Sequence, residues 1–307
     1  MIRRAGYDDI ESGVRVLTAA QPEIVFSVEG YRHSWNTTLE ESQRMWWCAE
    51  DGGTIVGWAT CGLMTETAEP GVGWLGVTVA PDHRNRGHGS ELADAGERHA
   101  REIGVLRLVA WSKGDSETFV RNRGFEQTGA ADWLVVDPRT IERPVPPSGV
   151  ELRSFAELAD DPRRIYDVDV AAMRDEPSDV HFDAIGYEYW LERFWRHPLL
   201  DHDASMGVLV EGSVVCITLL QTDRPTGRAL NNGTATLREH RARGLATLAK
   251  QASLARAAEL GCNAVYTGNN AENTPMLAVN RKLGYRACST EISWSKSLAT
   301  VDTSLAG

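Results

Sequence analysis

Hydrophobic and polar positions recur in the same order in the two halves of this chain. Each half opens with a short strand that leads into a helix, at "MIRRAGYDDIESG" and "VELRSFAELAD". A β-hairpin follows further on, because turn residues separate β-rich runs at Asp51-Gly52-Gly53 and again at Glu211-Gly212-Ser213. Between these signals we predict helices at "TLEESQRMWW" and "IGYEYWLERFWRH".

The later part of each half repeats as well. An amphipathic helix is predicted at "SELADAGERHAREIG" and at "LATLAKQASLARAAELG", where apolar residues follow helical spacing. A buried strand comes next, "VLRLVAW" or "AVYTGN", and then a short helix that ends at Gly124 or Gly284. Glycine just past a helix end is typical of the left-handed conformation. A last strand is expected to close each half.

The spacing of matching glycines indicates a duplication. Gly244 follows Gly87 by 157 residues and Gly261 follows Gly104 by the same 157, while Gly284 follows Gly124 by 160. This regular register predicts two tandem copies of one α/β module. We expect a first domain over 1–140, a proline-rich linker over 141–149, a second domain over 150–296 and a frayed tail over 297–307.

Composition narrows the class of protein. Of the 307 residues, 42% are hydrophobic and 24% are charged, which is typical of globular proteins. A formal charge of −11 argues against nucleic acid as a partner and favours a cationic small molecule. Neither a signal peptide nor a membrane-spanning run is evident, so we expect a cytoplasmic protein. The five cysteines and eight histidines lack metal-site spacing, and we expect buried free thiols and no metal.

Two Arg/Gly stretches carry the candidate chemistry. "VTVAPDHRNRGHGSEL" and "TATLREHRARGLATLA" each place arginines and small residues where a strand runs into a helix. The positive end of a helix dipole disfavours cations, so we expect an anion there. The first turn of a helix offers unpaired N–H groups that suit a pyrophosphate, and small residues let a ligand approach the backbone. The alternative is a glycine turn with solvated arginines, which the repetition makes less favourable.

Other phosphate-binding motifs fit less well. A dinucleotide fingerprint would need a third glycine where Leu92 stands, and a P-loop would need Gly-Lys-Ser or Gly-Lys-Thr, which does not occur. Together with "FVRNRGF" and "NAENTPMLAVNRKLGY", the two stretches resemble motifs of the GNAT acyltransferases, which transfer acetyl from acetyl-CoA to amines. Over nearly its whole length the sequence is similar to tandem GNAT proteins, among them mycothiol synthase-like and antibiotic-cluster proteins. The resemblance implies an α/β fold of two tandem GNAT-type domains, each with a mixed, largely antiparallel central sheet flanked by helices.

The resemblance also implies a place for acetyl-CoA in each half. The pyrophosphate would lie on the backbone N–H groups of a loop: Arg84, Asn85, Arg86, Gly87, His88, Gly89 and Ser90 in the first half, and Arg241, Ala242, Arg243, Gly244, Leu245, Ala246 and Thr247 in the second. The splayed, bulged strand before the loop would pair with the pantetheine arm: Val77, Thr78 and Val79, or Thr234, Ala235, Thr236 and Leu237. One amide of that strand would polarise the thioester carbonyl.

A second family motif distinguishes the halves. An Asn that contacts the cofactor and, seven residues later, a Tyr that protonates the leaving thiolate are frequent in the family. These positions hold Asn273 and Asn280 in the second half, and Lys113 and Val120 in the first. The second half is therefore better equipped for the cofactor, although Asn273 also fits the N-cap of a helix.

The general base is not evident from the sequence. Neither strand before an Arg/Gly stretch carries the carboxylate that the family often places there. The resemblance implies that Asp175 and Glu176 lie where the family's acceptor-side loop would be. They are our candidates for the base or for binding a cationic substrate; the alternative is a solvated acidic loop. Trp190 and Trp195 either wall the acceptor cleft or belong to the core. His240, beside the second loop, is expected to be structural.

These features predict an acetyl-CoA-dependent N-acetyltransferase that acts on a small amine, such as an aminosugar or a specialised metabolite, by direct transfer within a ternary complex. We expect the second half to be catalytic and the protein to be a monomer or a homodimer. The alternative from another class is an acyl-CoA-binding sensor or scaffold without turnover, which the missing base and tyrosines favour. A third option is transfer of a different acyl group, or transfer to oxygen.

Overall fold

The computed structural model describes residues 1–173, 180, 183 and 185–298, which form one twelve-stranded sheet with helices on both faces. The first half contributes β1 (Ile2–Arg4), α1 (Ile10–Ala20), α2 (Val28–Asn36), β2 (Met45–Asp51), β3 (Thr54–Leu63), β4 (Val72–Val79), α3 (His88–Glu102), β5 (Arg107–Lys113), α4 (Glu117–Asn122) and β6 (Glu126–Val136). The second half contributes β7 (Val150–Ser154), α5 (Arg163–Met173), α6 (Tyr187–Trp190) with a π turn (Leu191–Trp195), β8 (Met206–Val210), β9 (Ser213–Asp223), β10 (Arg228–Thr236), α7 (Leu245–Glu259), β11 (Ala264–Asn270), α8 (Thr274–Lys282) and β12 (Arg286–Ser297).

The sheet is mixed and largely antiparallel. Its strand order is β1-β2-β3-β4-β5-β12-β6-β11-β10-β9-β8-β7, with parallel pairing between β4 and β5 and between β10 and β11. Side chains alternate between the two faces, so Ala59 and Cys61 pack toward α3 while Trp58 packs toward α1. The expected α/β class, with mixed, largely antiparallel sheets in two modules, is confirmed.

The final strands of the two halves are exchanged. β12 lies between β5 and β6 and pairs with both, and β6 lies between β12 and β11. Each half therefore completes its sheet with the last strand of the other half, whereas the sequence suggested that each last strand closes its own half. Because the modules are copies, β5 and β11 present equivalent edges, and a strand's own pattern does not specify which of them it joins. The domain boundaries at 140 and 150 stay a prediction.

The segments that follow the first helix of each half also cross to the other half. His33 Nε2 lies 2.8 Å from the Glu192 carbonyl oxygen, and Arg228 donates to the Ile24 carbonyl at 3.2 Å. In the opposite direction, the Tyr189 hydroxyl donates to the Glu66 carboxylate at 3.1 Å. The exchanged strands and these reciprocal contacts together join the halves.

The structure confirms some local predictions and corrects others. Gly124 and Gly284 both have φ of 80°, which confirms the left-handed residue past each short helix. "IGYEYWLERFWRH" is helical as predicted. "TLEESQRMWW" is not: it contains one 3-10 turn, Glu40–Ser42, and then enters β2, whose tryptophans pack on both faces of the sheet and so lack polar alternation. Cys288 is exposed, whereas the other four cysteines are buried as expected.

The contact between α1 and the sheet leads to a first prediction. A Cβ on Gly13 would lie 2.6 Å from ring atoms of Trp58, and that indole is fixed by its hydrogen bond to the Tyr31 hydroxyl at 2.7 Å. Gly13→Ala should therefore lower the free energy of unfolding by about 1–3 kcal/mol, despite the better helix propensity of alanine. Gly114→Ala is the control, since a Cβ there meets no atom within 4 Å. Equal urea midpoints for the two variants would contradict the tight contact.

Candidate functional site

Two V-shaped openings interrupt the sheet, one in each half. β4 and β5 pair over residues 72–74 and 107–109, and beyond these residues the two parallel strands diverge. β10 and β11 repeat this arrangement, with pairing over 228–230 and 264–266. On the side of the opening, the main chain of β4 and β10 therefore has no strand partner among the described residues. An extended ligand can hydrogen-bond to such an exposed edge.

A loop with the same backbone conformation follows each of these strands. Asn85 and Ala242 both have φ of 60°, and the N-cap glycines Gly87 and Gly244 have φ of 91° and 76°. Neither α3 nor α7 has a side-chain cap. Within the described chain, the N–H groups of 85–90 and 242–247 make no hydrogen bond to other residues. Each loop thus presents a row of free amides at a helix N-terminus, which favours an anion.

The strand before the loop is bulged in the second half and regular in the first. The pairing of β10 with β9 shifts between Asn231 and Gly233, so Asn232 has no cross-strand partner, and its side chain is exposed. The pairing of β4 with β3 runs without a shift over 73–79. A bulged strand was expected before the loop in both halves. Of the two strands β4 and β10, only β10 has the bulge. A bulge leaves the extra residue unpaired and bends the strand locally.

Carboxylates already neutralise the first loop. The Asp51 carboxylate lies 3.4 Å from His83 Nδ1, 3.3 Å from Arg86 Nη1 and 3.9 Å from His88 Nε2. The His83 hydrogen bond, aided by the charges of Arg86 and His88, keeps the pKa of Asp51 below its usual value, so this group stays ionised. Arg84 pairs with Asp115 at 2.7 Å. Contrary to our expectation, the first-loop arginines have protein partners, and an incoming diphosphate would have to compete with them.

The second loop lacks the counterpart of the Asp51 contacts. Glu211, the hairpin residue that corresponds to Asp51, makes no ion pair with the described part of the chain, and the same holds for Arg243. The Nδ1 atom of His240 is buried without a hydrogen-bond partner among the described residues. Arg241 Nε donates to the Thr236 carbonyl at 3.0 Å, which fixes that arginine beside β10. The cation of Arg243 is therefore available to an incoming diphosphate, unlike that of Arg86.

The sequence itself matches a known family in both halves. Residues 13–125 and 165–285, together well over half of the chain, match the model described as the Acetyltransferase (GNAT) family. The chain belongs to the GNAT acetyltransferase family. The two matched segments confirm the tandem arrangement inferred from the glycine spacing, and membership makes the chain an acyltransferase.

Relatives support the same assignment. A mycothiol acetyltransferase of Saccharomonospora viridis is 28% identical over 235 residues, which cover 72% of this chain and 73% of that protein. A GCN5-related N-acetyltransferase from Sphaerobacter thermophilus superposes with a TM-score of 0.72 at 18% identity, over 98% of this chain and 96% of that one. A tandem GNAT protein from the clavulanic acid biosynthesis pathway gives a TM-score of 0.74 at 19% identity, over 98% and 99% of the two chains. At these identities the solved structures show the shared fold.

In this GNAT protein the first opening is bridged by the chain's own residues. Gln21 Nε2, just after α1, donates to the Thr78 hydroxyl on β4 at 3.0 Å. Across the opening on β5, Lys113 Nζ donates to the Ala20 carbonyl at 3.1 Å and lies 2.8 Å from the Glu23 carboxylate. Lys113 occupies the position where the family often has its cofactor Asn. The Thr78 hydroxyl is thus already engaged within the chain, while the predicted main-chain pairing of this strand with a pantetheine arm stays a prediction.

A buried lysine supports the bulge in the second opening. Lys250 of α7 is 1% exposed, and its Nζ donates to the Asn231 side-chain oxygen at 2.6 Å. Asn231 in turn donates to the Thr218 hydroxyl at 2.8 Å and accepts from Thr234 at 3.2 Å. Burial lowers the pKa of Lys250 to about 7. In the first half the residue 157 positions before Lys250 is Ala93, whose methyl side chain cannot form such a network.

Asn231 and Lys250 were not predicted from the sequence, although each left a signal. "NNG" inside a strand disfavours regular pairing and points to a bulge. Lys250 interrupts the apolar face of an otherwise alanine-rich helix. Neither signal reveals that the two side chains meet, because 19 residues and a loop separate them.

The second family motif is placed beside the second opening. Asn273 caps α8 by accepting from the Met276 N–H at 3.3 Å, so its N-cap role is present in the fold. Asn280 is fully buried and donates to the Asn269 side chain on β11. Its side-chain oxygen has no partner within the described chain. Contact of either Asn with a cofactor stays a prediction, as do the other loop and strand contacts.

The remaining candidates are two acidic residues and two tryptophans. Asp175 and Glu176 lie outside the described residues, so their role as base or substrate ligand stays a prediction. Trp190 and Trp195 are buried, and Trp190 donates to the Asp169 carboxylate at 2.8 Å. Both pack in a hydrophobic cluster, so they belong to the core, which was one of the two roles considered for them. A cavity of about 630 Å³ next to Asp201 lies at the opposite end of β9 and β10 from the opening.

In the described ranges, no group of three or more His, Cys, Asp or Glu side chains is arranged to hold a metal ion. Within the same ranges, each helix is too short or too polar to cross a membrane.

Proposed function

We propose that the second-half opening binds acetyl-CoA and transfers its acetyl group to the nitrogen of a small amine. The difference between the two openings carries the choice of half. Among the described residues, the second opening combines free loop amides, the unpaired cation of Arg243 and a strand bulge. In the first half, internal hydrogen bonds bridge the opening and carboxylates neutralise the loop arginines. Family membership supports the acetyl chemistry, and the mycothiol acetyltransferase relative supports a small-molecule acceptor.

In this proposal the chain's own groups have separate tasks. The N–H groups of 242–247 hold the diphosphate, and the free edge of β10 over 234–237 orients the pantetheine arm. A main-chain amide at the bulge around Asn232 stabilises negative charge on the thioester carbonyl oxygen. The amine nitrogen bonds to the carbonyl carbon, the carbon–sulfur bond breaks, and the amine proton passes to a base. We keep Asp175 and Glu176 as candidates for that base.

The test measures amine-dependent release of free CoA in the steady state, with aminosugars, polyamines and amino-acid amides as acceptors. We expect at least one acceptor to give an acetylated product by mass spectrometry. Tight binding of acetyl-CoA without release over the whole panel would instead support the sensor or scaffold alternative. The oligomeric state, monomer or homodimer, stays a prediction.

A matched pair of loop variants tests the choice of half. Arg243→Gln should raise the KM for acetyl-CoA about three- to tenfold and leave kcat nearly unchanged, since it removes one charge-assisted contact to the bound diphosphate. Arg86→Gln, the equivalent change in the first loop, should leave both constants within about twofold. An effect confined to Arg86→Gln would move the site to the first half.

A further inference from the structure

A second candidate binding site lies in a crevice between the two halves, on the face that carries α1. The arginine crevice, as we call it, is formed by Arg44, Trp74, Tyr31 and Glu66 of the first half and Tyr189 and Arg193 of the second. All six residues keep some solvent exposure. Arg44 precedes β2 and Arg193 lies in the π turn. Tyr189 of the second half donates to Glu66 of the first, and the charge of Arg193 acts on Arg44, so the two arginines are neighbours.

Each of the two guanidinium groups has a buried nitrogen atom that lacks an acceptor. Arg44 Nε and Arg193 Nη1 are both buried without a hydrogen-bond partner among the described residues. A buried N–H without an acceptor costs about 1–3 kcal/mol, and more when the group is charged. Arg196, the residue just after this turn, shows the ordinary arrangement, because it pairs with Glu192 at 2.6 Å. These two neighbouring groups therefore have hydrogen-bonding capacity that the described residues do not use.

Burial and nearby positive charges both act on the ionisable groups around the crevice. Burial lowers the pKa of Arg44, and the charge of Arg193 lowers it further. Burial also lowers the pKa of His197 to about 4, with added contributions from His33 and Arg193. Glu66 lies near Arg44, but its two oxygens accept from the Tyr189 hydroxyl and the Thr65 N–H at 3.1 Å each. Among the six crevice residues, two positive charges face one negative charge.

We infer that the arginine crevice binds the carboxylate of a small molecule. The Arg44 guanidinium lies over the Trp74 ring, 4.9 Å from its centroid, and this stacking leaves the guanidinium edge for in-plane hydrogen bonds. A carboxylate matches such an edge with two coplanar oxygens. Its single charge balances the net charge of the two arginines and Glu66, which a phosphate dianion would exceed. The crevice lies apart from the second opening, so carboxylate binding there does not depend on the proposed acetyl transfer.

The test follows thermal unfolding of the full chain in sodium benzoate and sodium acetate, with sodium chloride of equal ionic strength as reference and sodium phosphate as a competing probe. We expect both carboxylates to raise Tm above the chloride value in the wild type. Arg193→Gln should abolish this rise, and benzoate titrations by calorimetry should give a Kd at least about tenfold weaker. Arg44→Gln should act in the same way.

The control is Arg196→Gln, which removes one positive charge from just after the same turn. Within the described chain, and unlike Arg193, Arg196 is exposed and already pairs with a carboxylate. This variant should respond to benzoate as the wild type does. Since Arg44 also packs on Trp74, Arg193→Gln decides the outcome if the Arg44 variant unfolds. Equal responses of wild type and Arg193→Gln would overturn the inference, as would stabilisation by phosphate without stabilisation by carboxylates.

Discussion

Gly244→Val should weaken binding of acetyl-CoA about a hundredfold, whereas Gly87→Val should leave it nearly unchanged. Gly244 has φ of 76°, a conformation that a β-branched residue adopts only under strain, so the valine variant must shift the loop amides. Loss of two or more charge-assisted hydrogen bonds corresponds to about 3 kcal/mol, or about a hundredfold in Kd. Calorimetric titration with acetyl-CoA measures the change.

The two variants control each other. Gly87 has φ of 91°, and a Cβ at either Gly87 or Gly244 would meet no atom within 4 Å. Both variants therefore carry similar backbone strain, and neither Cβ clashes with its surroundings. Their Tm values should fall by similar amounts. If Gly244→Val binds acetyl-CoA as tightly as the wild type while remaining folded, the second loop does not hold the diphosphate.

Lys250→Met should change how stability depends on pH. Folding depresses the pKa of Lys250 from about 10.4 in the unfolded chain to about 7. The unfolded chain therefore binds the extra proton between these values, and the wild type gains stability relative to the variant as pH rises through that window. Below pH 7 the full cost of burying the charge remains. The difference between wild type and variant should change by about 1.4 kcal/mol per pH unit.

Urea unfolding of wild type and Lys250→Met at several pH values above 7 tests this prediction. Lys282→Met is the control, because Lys282 is exposed at the end of α8 and its removal takes the same charge from the chain. Its stability difference from the wild type should stay flat over the same range. A flat difference for Lys250→Met would show that the lysine is not buried in the folded protein as described.

Local sequence patterns predicted much of the fold. The glycine register predicted the duplication, and the same register holds in space, because Asn85 and Ala242 share one backbone conformation and Gly87 and Gly244 another. Hairpins, amphipathic helices and helix-ending glycines each depend on neighbouring residues, so a single sequence reveals them. The helix predicted at "TLEESQRMWW" was wrong because a strand buried on both faces has no polar alternation.

Contacts between residues far apart in the chain could not be predicted from the sequence, for physical reasons. When β6 and β12 are exchanged, each strand still has chemically similar neighbours, because the two halves are copies. The sequence pattern therefore does not reveal the exchange. Asp51 and Arg86 are 35 residues apart, and their contact depends on the hairpin reaching the loop. The second half was predicted to be better equipped because of Asn273, whereas the two phosphate loops themselves were predicted to be alike. The difference between the loops comes from ion-pair partners that the sequence motifs do not include.

The most direct test of the central claim is hydrogen–deuterium exchange of the full chain, read by mass spectrometry with and without acetyl-CoA. If acetyl-CoA occupies the second opening, the amides of 231–237 and 242–248 become protected and those of 85–91 exchange as before. Protection of 85–91 without protection of 242–248, at saturating acetyl-CoA, would contradict the account.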